Sequence, residues 1–245
     1  GVLHNGIKLN EEAVNVLSKL DDLGKEYVLL TNAPRPNLDV IKFLNKLGLD
    51  EGKSSKVYTS GQGSLNYLNN EKKGSKFFHL GTTRDFGLFD NFISLKQDKI
   101  ENADYLLCTG LFEEKEELEF YENLLSQYTE KEMVCTNPDL IVYKGEVKEY
   151  CAGSVAKVYE KMGGKVKYFG KPYPMVYQQS SNPVNKKVLC IGDNLNTDIK
   201  GANIQNFDSL FILNGIHRNE NHKKINKLFE NYKVEVNYIQ EKLKW

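Results

Sequence analysis

Short apolar runs alternate with amphipathic stretches along most of the chain, and this alternation limits the available folds more than any other feature. The runs are "YVLLT" (27–31), "KVYTSG" (56–61), "KFFHLG" (76–81), "ADYLLCTG" (103–110), "EMVCTNPD" (132–139), "KVKYFG" (165–170), "KKVLCIGD" (186–193) and "SLFILNG" (209–215). Continuous apolar runs of this length, rich in β-branched residues, mark buried parallel strands. Between them lie helical patterns. Asn10 stands before Val14, Leu17, Leu20 and Leu23, and Gly24 follows as a stop. Further helices are predicted over 37–47 (stopped by Gly48), at "GSLNYLNN", over 114–127, over 153–162 (stopped by Gly163-Gly164), from about 196, and after His217. "LIVYKGEVKEY" (140–150) reads as a hairpin turning at Lys144-Gly145. Repeated β-α units argue for a parallel sheet wrapped by helices, an α/β fold. The middle of the chain is compatible with a second layer inserted into that sheet domain, which periodicity alone does not settle.

Composition removes whole functional classes. The 245 residues carry 33 basic and 33 acidic side chains, so the net charge is zero and nothing in it favours nucleic acid. No run approaches the ~18 apolar residues of a transmembrane helix, so no membrane role is expected. Fourteen Tyr and twelve Phe supply ample core. Cys108, Cys135, Cys151 and Cys190 form no C-x-x-C pair and three sit in apolar runs, the pattern of buried free thiols in a cytoplasmic protein. The sequence opens at Gly1 without Met, so residues missing upstream or a processed start are both considered. Neither a homodimer nor a monomer is fixed by the sequence.

Three strand ends carry chemistry. In "VLCIGDNLNTDIKGA" (188–202) a strand delivers Asp193 to the carboxyl rim of the sheet, where ligands of α/β proteins bind, and Thr197 and Asp198 follow one helical turn later. Two converging carboxylates suit a hard cation such as Mg²⁺ shared with a phosphate. In "VLLTNAPRP", Thr31 and Asn32 bring a hydroxyl and backbone N–H groups to the same rim, groups that cradle phosphate oxygens. In "YFGKPYP", Lys171 stands at a strand end against Pro172, a cation able to neutralise both phosphate and carboxylate. Each has a plainer reading alone: an Asp caps a helix, Thr-Asn is turn chemistry, and Lys before Pro is a surface residue. The run "EEKEELE" (113–119) reads as a solvated helix face, and His4, His79, His217 and His222 show no ligand spacing.

In that order, these three elements resemble the haloacid dehalogenase (HAD) superfamily, and more narrowly its class IIA capped phosphatases, typified by NagD and p-nitrophenyl-phosphatase-like enzymes. "GVLHNG", "LLTNAPRP", "CTNPD", "CAGSVAKVYEKMGGKVKYFGKPYP" and "IGDNLNTDIKGA" carry the similarity over nearly the whole chain. The resemblance implies a Rossmann-like parallel sheet core with helices on both faces (1–72 and 168–245) and an inserted α/β C2-type cap domain (73–167). It implies a Mg²⁺-dependent phosphatase acting on a small phosphorylated metabolite (sugar phosphate, nucleotide or similar) through an aspartyl-phosphate. Asp193 and Asp198 would hold the metal, Thr31 and Asn32 the phosphoryl group, and Lys171 would bridge phosphate and nucleophile. Arg35, Asn137 and Asp139 would contact the substrate, with the cap excluding water. The family's nucleophile precedes a Gly-Val, and this sequence opens on Gly1-Val2. The resemblance therefore puts the nucleophilic Asp, with its strand, about three residues upstream of Gly1. The alternative is a catalytically inactive binding protein of the same fold lacking that Asp; a receiver-type signalling domain is much shorter and places its Lys differently.

Overall fold

The computed structural model of the chain describes residues 1–245 except 145, 146, 182, 184 and 221–224. Helix α1 (Glu11–Asp22) forms over the predicted stretch because Ala13, Val16 and Leu17 fall on one buried face. Leu23 lies beyond its end and is mostly exposed. Asn10 holds the N-cap position without capping; its side-chain amide donates instead to the Val2 carbonyl (3.3 Å). Strand β1 (Leu29–Thr31) leads through α2 (Asn37–Lys46) and a short α3 (Glu51–Ser54) to β2 (Val57–Thr59), its parallel partner. Helix α4 (Ser60–Glu71) starts at the end of β2, where Thr59 Oγ1 accepts the Gln62 N–H (2.8 Å).

The middle of the chain builds its own sheet. It runs β3 (Phe77–Leu80), β4 (Lys96–Gln97), β5 (Tyr105–Cys108), α5 (Leu118–Leu125), β6 (Glu132–Cys135), the antiparallel ribbon β7 (Ile141–Lys144) and β8 (Val147–Tyr150), then α6 (Ala152–Lys161) and β9 (Lys165–Tyr168). Five of these strands form an all-parallel sheet in the order β4-β3-β5-β6-β9. Leu106 and Cys108 of β5 pack with Tyr121, Leu125, Val155 and Tyr159 from α5 and α6. Tyr105 and Leu107, pointing the other way, pack with Leu68 of α4 and with Phe89. Each fully buried side chain of this size contributes roughly 1.5–3 kcal/mol. The acid-rich run differs from expectation: Glu114 takes a positive φ of 60° and the helix begins only at Leu118. The Tyr121 hydroxyl accepts the Phe112 N–H and donates to the Lys115 carbonyl, holding 112–115 as an irregular turn. The hairpin strands lie as predicted, while Gly145 of its turn lies outside the described residues, as does His222.

The last third returns to strand–helix alternation: α7 (Pro174–Ser181), β10 (Leu189–Gly192), a π-helical turn (Leu195–Ile199), α8 (Lys200–Gln205), β11 (Asp208–Ile212), α9 (Ile225–Tyr232) and β12 (Tyr238–Gln240). Strands β10, β11 and β12 form a parallel sheet in that order. Helices cover both of its faces, since Leu210 and Ile212 meet Ala13 and Val16 of α1 while Phe211 meets Leu195, Ile199 and Leu228. Neither α7 nor β12 was marked in the sequence by a long periodic run.

Among the described residues, β1 pairs only with β2, and β10 only with β11. Between the two unpaired edges runs a slot of about 420 Å³ lined largely by apolar side chains, among them Val2, Leu29, Leu30, Leu189 and Ile191. Its mouth is polar and holds the candidate site. No helix among the described residues is long and apolar enough to cross a membrane.

Candidate active site

Lys171 is delivered by the turn that ends β9. Gly170 carries a φ of +108°, and a Cβ there would stand 2.5 Å from Asn32 Oδ1, so the turn approaches the β1 loop as only glycine allows. The Lys171 backbone N–H donates to Asn32 Oδ1 (2.7 Å), and Asn32 Nδ2 donates back to the Lys171 carbonyl (3.0 Å). The ammonium then spans the mouth of the slot, donating to the Leu30 carbonyl of β1 (2.8 Å) and to Asp198 Oδ1 (2.7 Å). Burial pulls the Lys171 pKa down, but the facing carboxylates of Asp198, Asp139 and Asp193 outweigh it and the net direction is upward. The ammonium is a fixed positive charge at neutral pH.

The acidic half is set by the end of β10. A Cβ on Gly192 would lie 2.1 Å from the Asp198 Cβ, so the π-helical turn packs directly on the strand end. Asp198 Oδ2 accepts the N–H groups of Asp193 (3.1 Å) and Asn194 (3.0 Å), which fixes the loop between the two carboxylates. Asp193 Oδ2 accepts the Ile216 N–H (2.8 Å), and its Oδ1 lies 2.9 Å from the Gly1 nitrogen. Both carboxylates and Asn32 are nearly buried.

Asp139 arrives from the loop after β6. Its Oδ1 accepts from Asn32 Nδ2 (3.2 Å) and Asn194 Nδ2 (3.4 Å). Burial, the largest influence, pushes its carboxyl up to about 6; Lys171 pulls it back, and the charges of Asp198 and Asp193 add to the rise. Thr31, Asn32, Asp139, Lys171, Asp193 and Asp198 thus line one cavity. Arg35 and Asn137 do not. The Arg35 guanidinium lies over the Phe43 ring (5.8 Å to its centre), and Asn137 Oδ1 accepts the Asp139 N–H (3.0 Å), shaping the turn. Thr31 Oγ1 is placed by the Ala33 N–H (3.3 Å).

Three contributors went unmarked in the sequence: the Leu30 carbonyl, the Ile216 N–H and the Asn194 amide. Only Asn194 had a readable signal, its place inside "GDNLNTD". His217 is buried, and its Nε2 accepts the Leu195 N–H (3.3 Å). His4 edges against Phe43 (5.5 Å).

The site's donors also bear on metal binding. Among the described residues no cluster of three or more His, Cys, Asp or Glu forms a ready-made cation cage. Asp193 and Asp198 nevertheless offer hard oxygen donors at the slot mouth. Mg²⁺, which keeps several waters and needs only one or two carboxylates, fits such a pair.

Comparison with known proteins agrees with this geometry. A family model described as haloacid dehalogenase-like hydrolase matches residues 1–91, and a second, HAD-hydrolase-like, matches residues 168–241. The chain is 24% identical over 226 residues to the ribonucleotide monophosphatase NagD of Escherichia coli K12, covering 83% of this chain and 80% of that protein. It is 22% identical over 229 residues to the 5′-nucleotidase YutF of Bacillus subtilis 168, covering 90% and 86%. A hydrolase of the haloacid dehalogenase-like family from Brucella suis 1330 superposes with a TM-score of 0.83 at 27% identity, over 99% of this chain and 92% of that one. The p-nitrophenyl phosphatase of Archaeoglobus fulgidus shares the fold, with a TM-score of 0.75 at 18% identity over 98% and 92%. With its two ends matched by family models, its full length matched in fold, and Lys171, Asp193 and Asp198 at one strand rim, the chain belongs to the haloacid dehalogenase-like hydrolases.

Proposed function

We propose that the chain is a Mg²⁺-dependent phosphatase of small phosphate monoesters such as a sugar phosphate or a nucleotide. The observation that carries this reading is the Lys171 ammonium, pinned between Asp198 and the Leu30 carbonyl at the mouth of an apolar slot. The slot separates two unpaired parallel edges and suits one further strand, since neighbouring strands lie about 4.8 Å apart. An extended segment running up the slot parallel to β1 and β10 would reach the rim at Gly1, beside Asp193. We assign the nucleophilic Asp to that segment, about three residues before Gly1. Residues 1–72 and 168–245 then form the core, and 73–167 the cap over it.

In this reading the Asp carboxylate attacks phosphorus as the bond to the ester oxygen breaks, and that oxygen takes a proton from water; a second water then hydrolyses the aspartyl-phosphate to inorganic phosphate and the free carboxylate. Lys171 holds charge against the phosphoryl oxygens and the nucleophile together. Thr31 and the backbone at Asn32 orient the phosphoryl group, and the amides of Asp193 and Asn194 keep Asp198 in place. Bound Mg²⁺, held by Asp193 and Asp198, would supply charge neutralisation at the phosphate. Asp139 faces the mouth of the slot from the loop after β6, while Arg35 and Asn137 shape the loops beside it. The names of the relatives, a ribonucleotide monophosphatase and a 5′-nucleotidase, support this substrate class. Four free cysteines support a cytoplasmic setting. The test is phosphate release from a panel of monoesters by the chain with its upstream residues. Turnover that needs Mg²⁺ supports the reading; ligand-induced stabilisation without turnover supports the non-catalytic alternative.

A further inference from the structure

We infer that Asp139 is the positioning residue that locks the cap loop to both halves of the phosphate site, through a single carboxylate oxygen. The inference takes the location of the site from the proposed function, but its geometry is independent of turnover. Asp139 Oδ1 accepts from two side-chain amides that stand 107 and 55 residues away in sequence, Asn32 and Asn194.

Each amide is oriented by a second bond. Asn32 Oδ1 is occupied by the Lys171 N–H (2.7 Å), which turns its Nδ2 toward Asp139 and the Lys171 carbonyl. Asn194 Oδ1 accepts the Asn196 N–H (2.9 Å), which turns its Nδ2 the same way. The carboxylate is fixed in turn, because Asn137 Oδ1 holds the Asp139 N–H and Pro138 restricts the backbone before it. The loop has no slack behind it either: a Cβ on Gly153 would fall 2.3 Å from the Pro138 carbonyl oxygen. One acceptor therefore ties three segments, the β1 loop that presents Asn32, the β10 loop that presents Asp193, and the cap loop. Losing it leaves Asn32 held by the Lys171 backbone alone and unties the loop after β6 from both of the others.

The lock needs an acceptor, not a charge. Asp139→Asn keeps an oxygen for both amides; Asp139→Ala removes it. Hydrogen–deuterium exchange on the whole chain separates these cases without depending on activity. Asp139→Ala should raise exchange roughly tenfold in 136–143, 31–33 and 194–197, the factor expected from losing a net hydrogen bond or two. Asp139→Asn should stay within about twofold of the parent in the same segments. Asn194→Ala, which removes one donor, should raise exchange in 136–143 by about threefold and keeps the test open if Asp139→Ala does not fold. Unchanged exchange in Asp139→Ala, or in Asn194→Ala, overturns the proposal, as does Asp139→Asn exchanging as fast as Asp139→Ala. If the exchange pattern holds while no variant or parent turns over phosphate esters, the lock stands and the phosphatase reading falls.

Discussion

Lys171 and Asp198 meet at 2.7 Å across the mouth of the slot, and the same ammonium donates to the Leu30 carbonyl at 2.8 Å. One side chain thereby joins the edge of β1 to the acidic turn after β10. The pair is largely shielded, with side chains 16% and 10% exposed. Removing the lysine leaves a carboxylate with little water around it. Lys171→Ala should therefore lose about 2–4 kcal/mol in denaturant unfolding, toward the lower side of the range for a broken buried pair. Lys171→Arg should not restore phosphate release, because a planar guanidinium cannot place one point donor on both oxygens.

The close approach at Gly192 makes a second prediction. A methyl group there would overlap the Asp198 side chain, with Cβ–Cβ at 2.1 Å, so the acidic turn must shift. Gly192→Ala should cost about 1–3 kcal/mol by overpacking. Its phosphate release should fall by a larger factor than that loss of stability explains, since Asp198 moves with the turn. Unfolding midpoints and initial rates on the same preparation check both.

A pH dependence is built into the five-stranded sheet, away from the slot. Burial drives the His79 pKa down to about 4, and its Nε2 lies 2.8 Å from Thr109 Oγ1, which donates to Asp85 Oδ2 (3.0 Å). The unfolded chain protonates His79 near 6.5 and the folded chain does not. Its contribution to stability is thus complete above about pH 6.5 and is lost as pH falls toward 4, by about 2–3 kcal/mol. Urea midpoints between pH 7.5 and 4.5 should fall more steeply in the parent than in His79→Asn.

The strand ends were the most legible part of the sequence. Apolar runs ending at Thr31, Gly170 and Gly192 marked where Asn32, Lys171 and Asp193 would emerge, because a buried parallel strand and its turn are local properties. The relation between those ends was not legible. Nothing local says that the Leu30 carbonyl receives Lys171, or that Asp139 reaches Asn32 across 107 residues. Those contacts follow from which strands neighbour which. Arg35 shows the same limit from the other side: its place after Thr31-Asn32 pointed at the substrate, yet its guanidinium stacks on Phe43. The acid-rich run over 113–119 had helical composition, and the Tyr121 hydroxyl, a tertiary partner, holds its start out of the helix.

The central claim is that Asp193 and Lys171 serve phosphate transfer, and one measurement tests it most directly. Inorganic phosphate release from a phosphate monoester such as p-nitrophenyl phosphate is followed with the chain and its upstream residues, with Mg²⁺ and with Mg²⁺ chelated, in the parent and in Asp193→Asn. The account predicts turnover that requires Mg²⁺ and falls at least about 10²-fold in Asp193→Asn, the scale of losing one charge-stabilising group. Turnover that is indifferent to Mg²⁺ and to Asp193→Asn, or no turnover on any monoester by the folded parent, would contradict it.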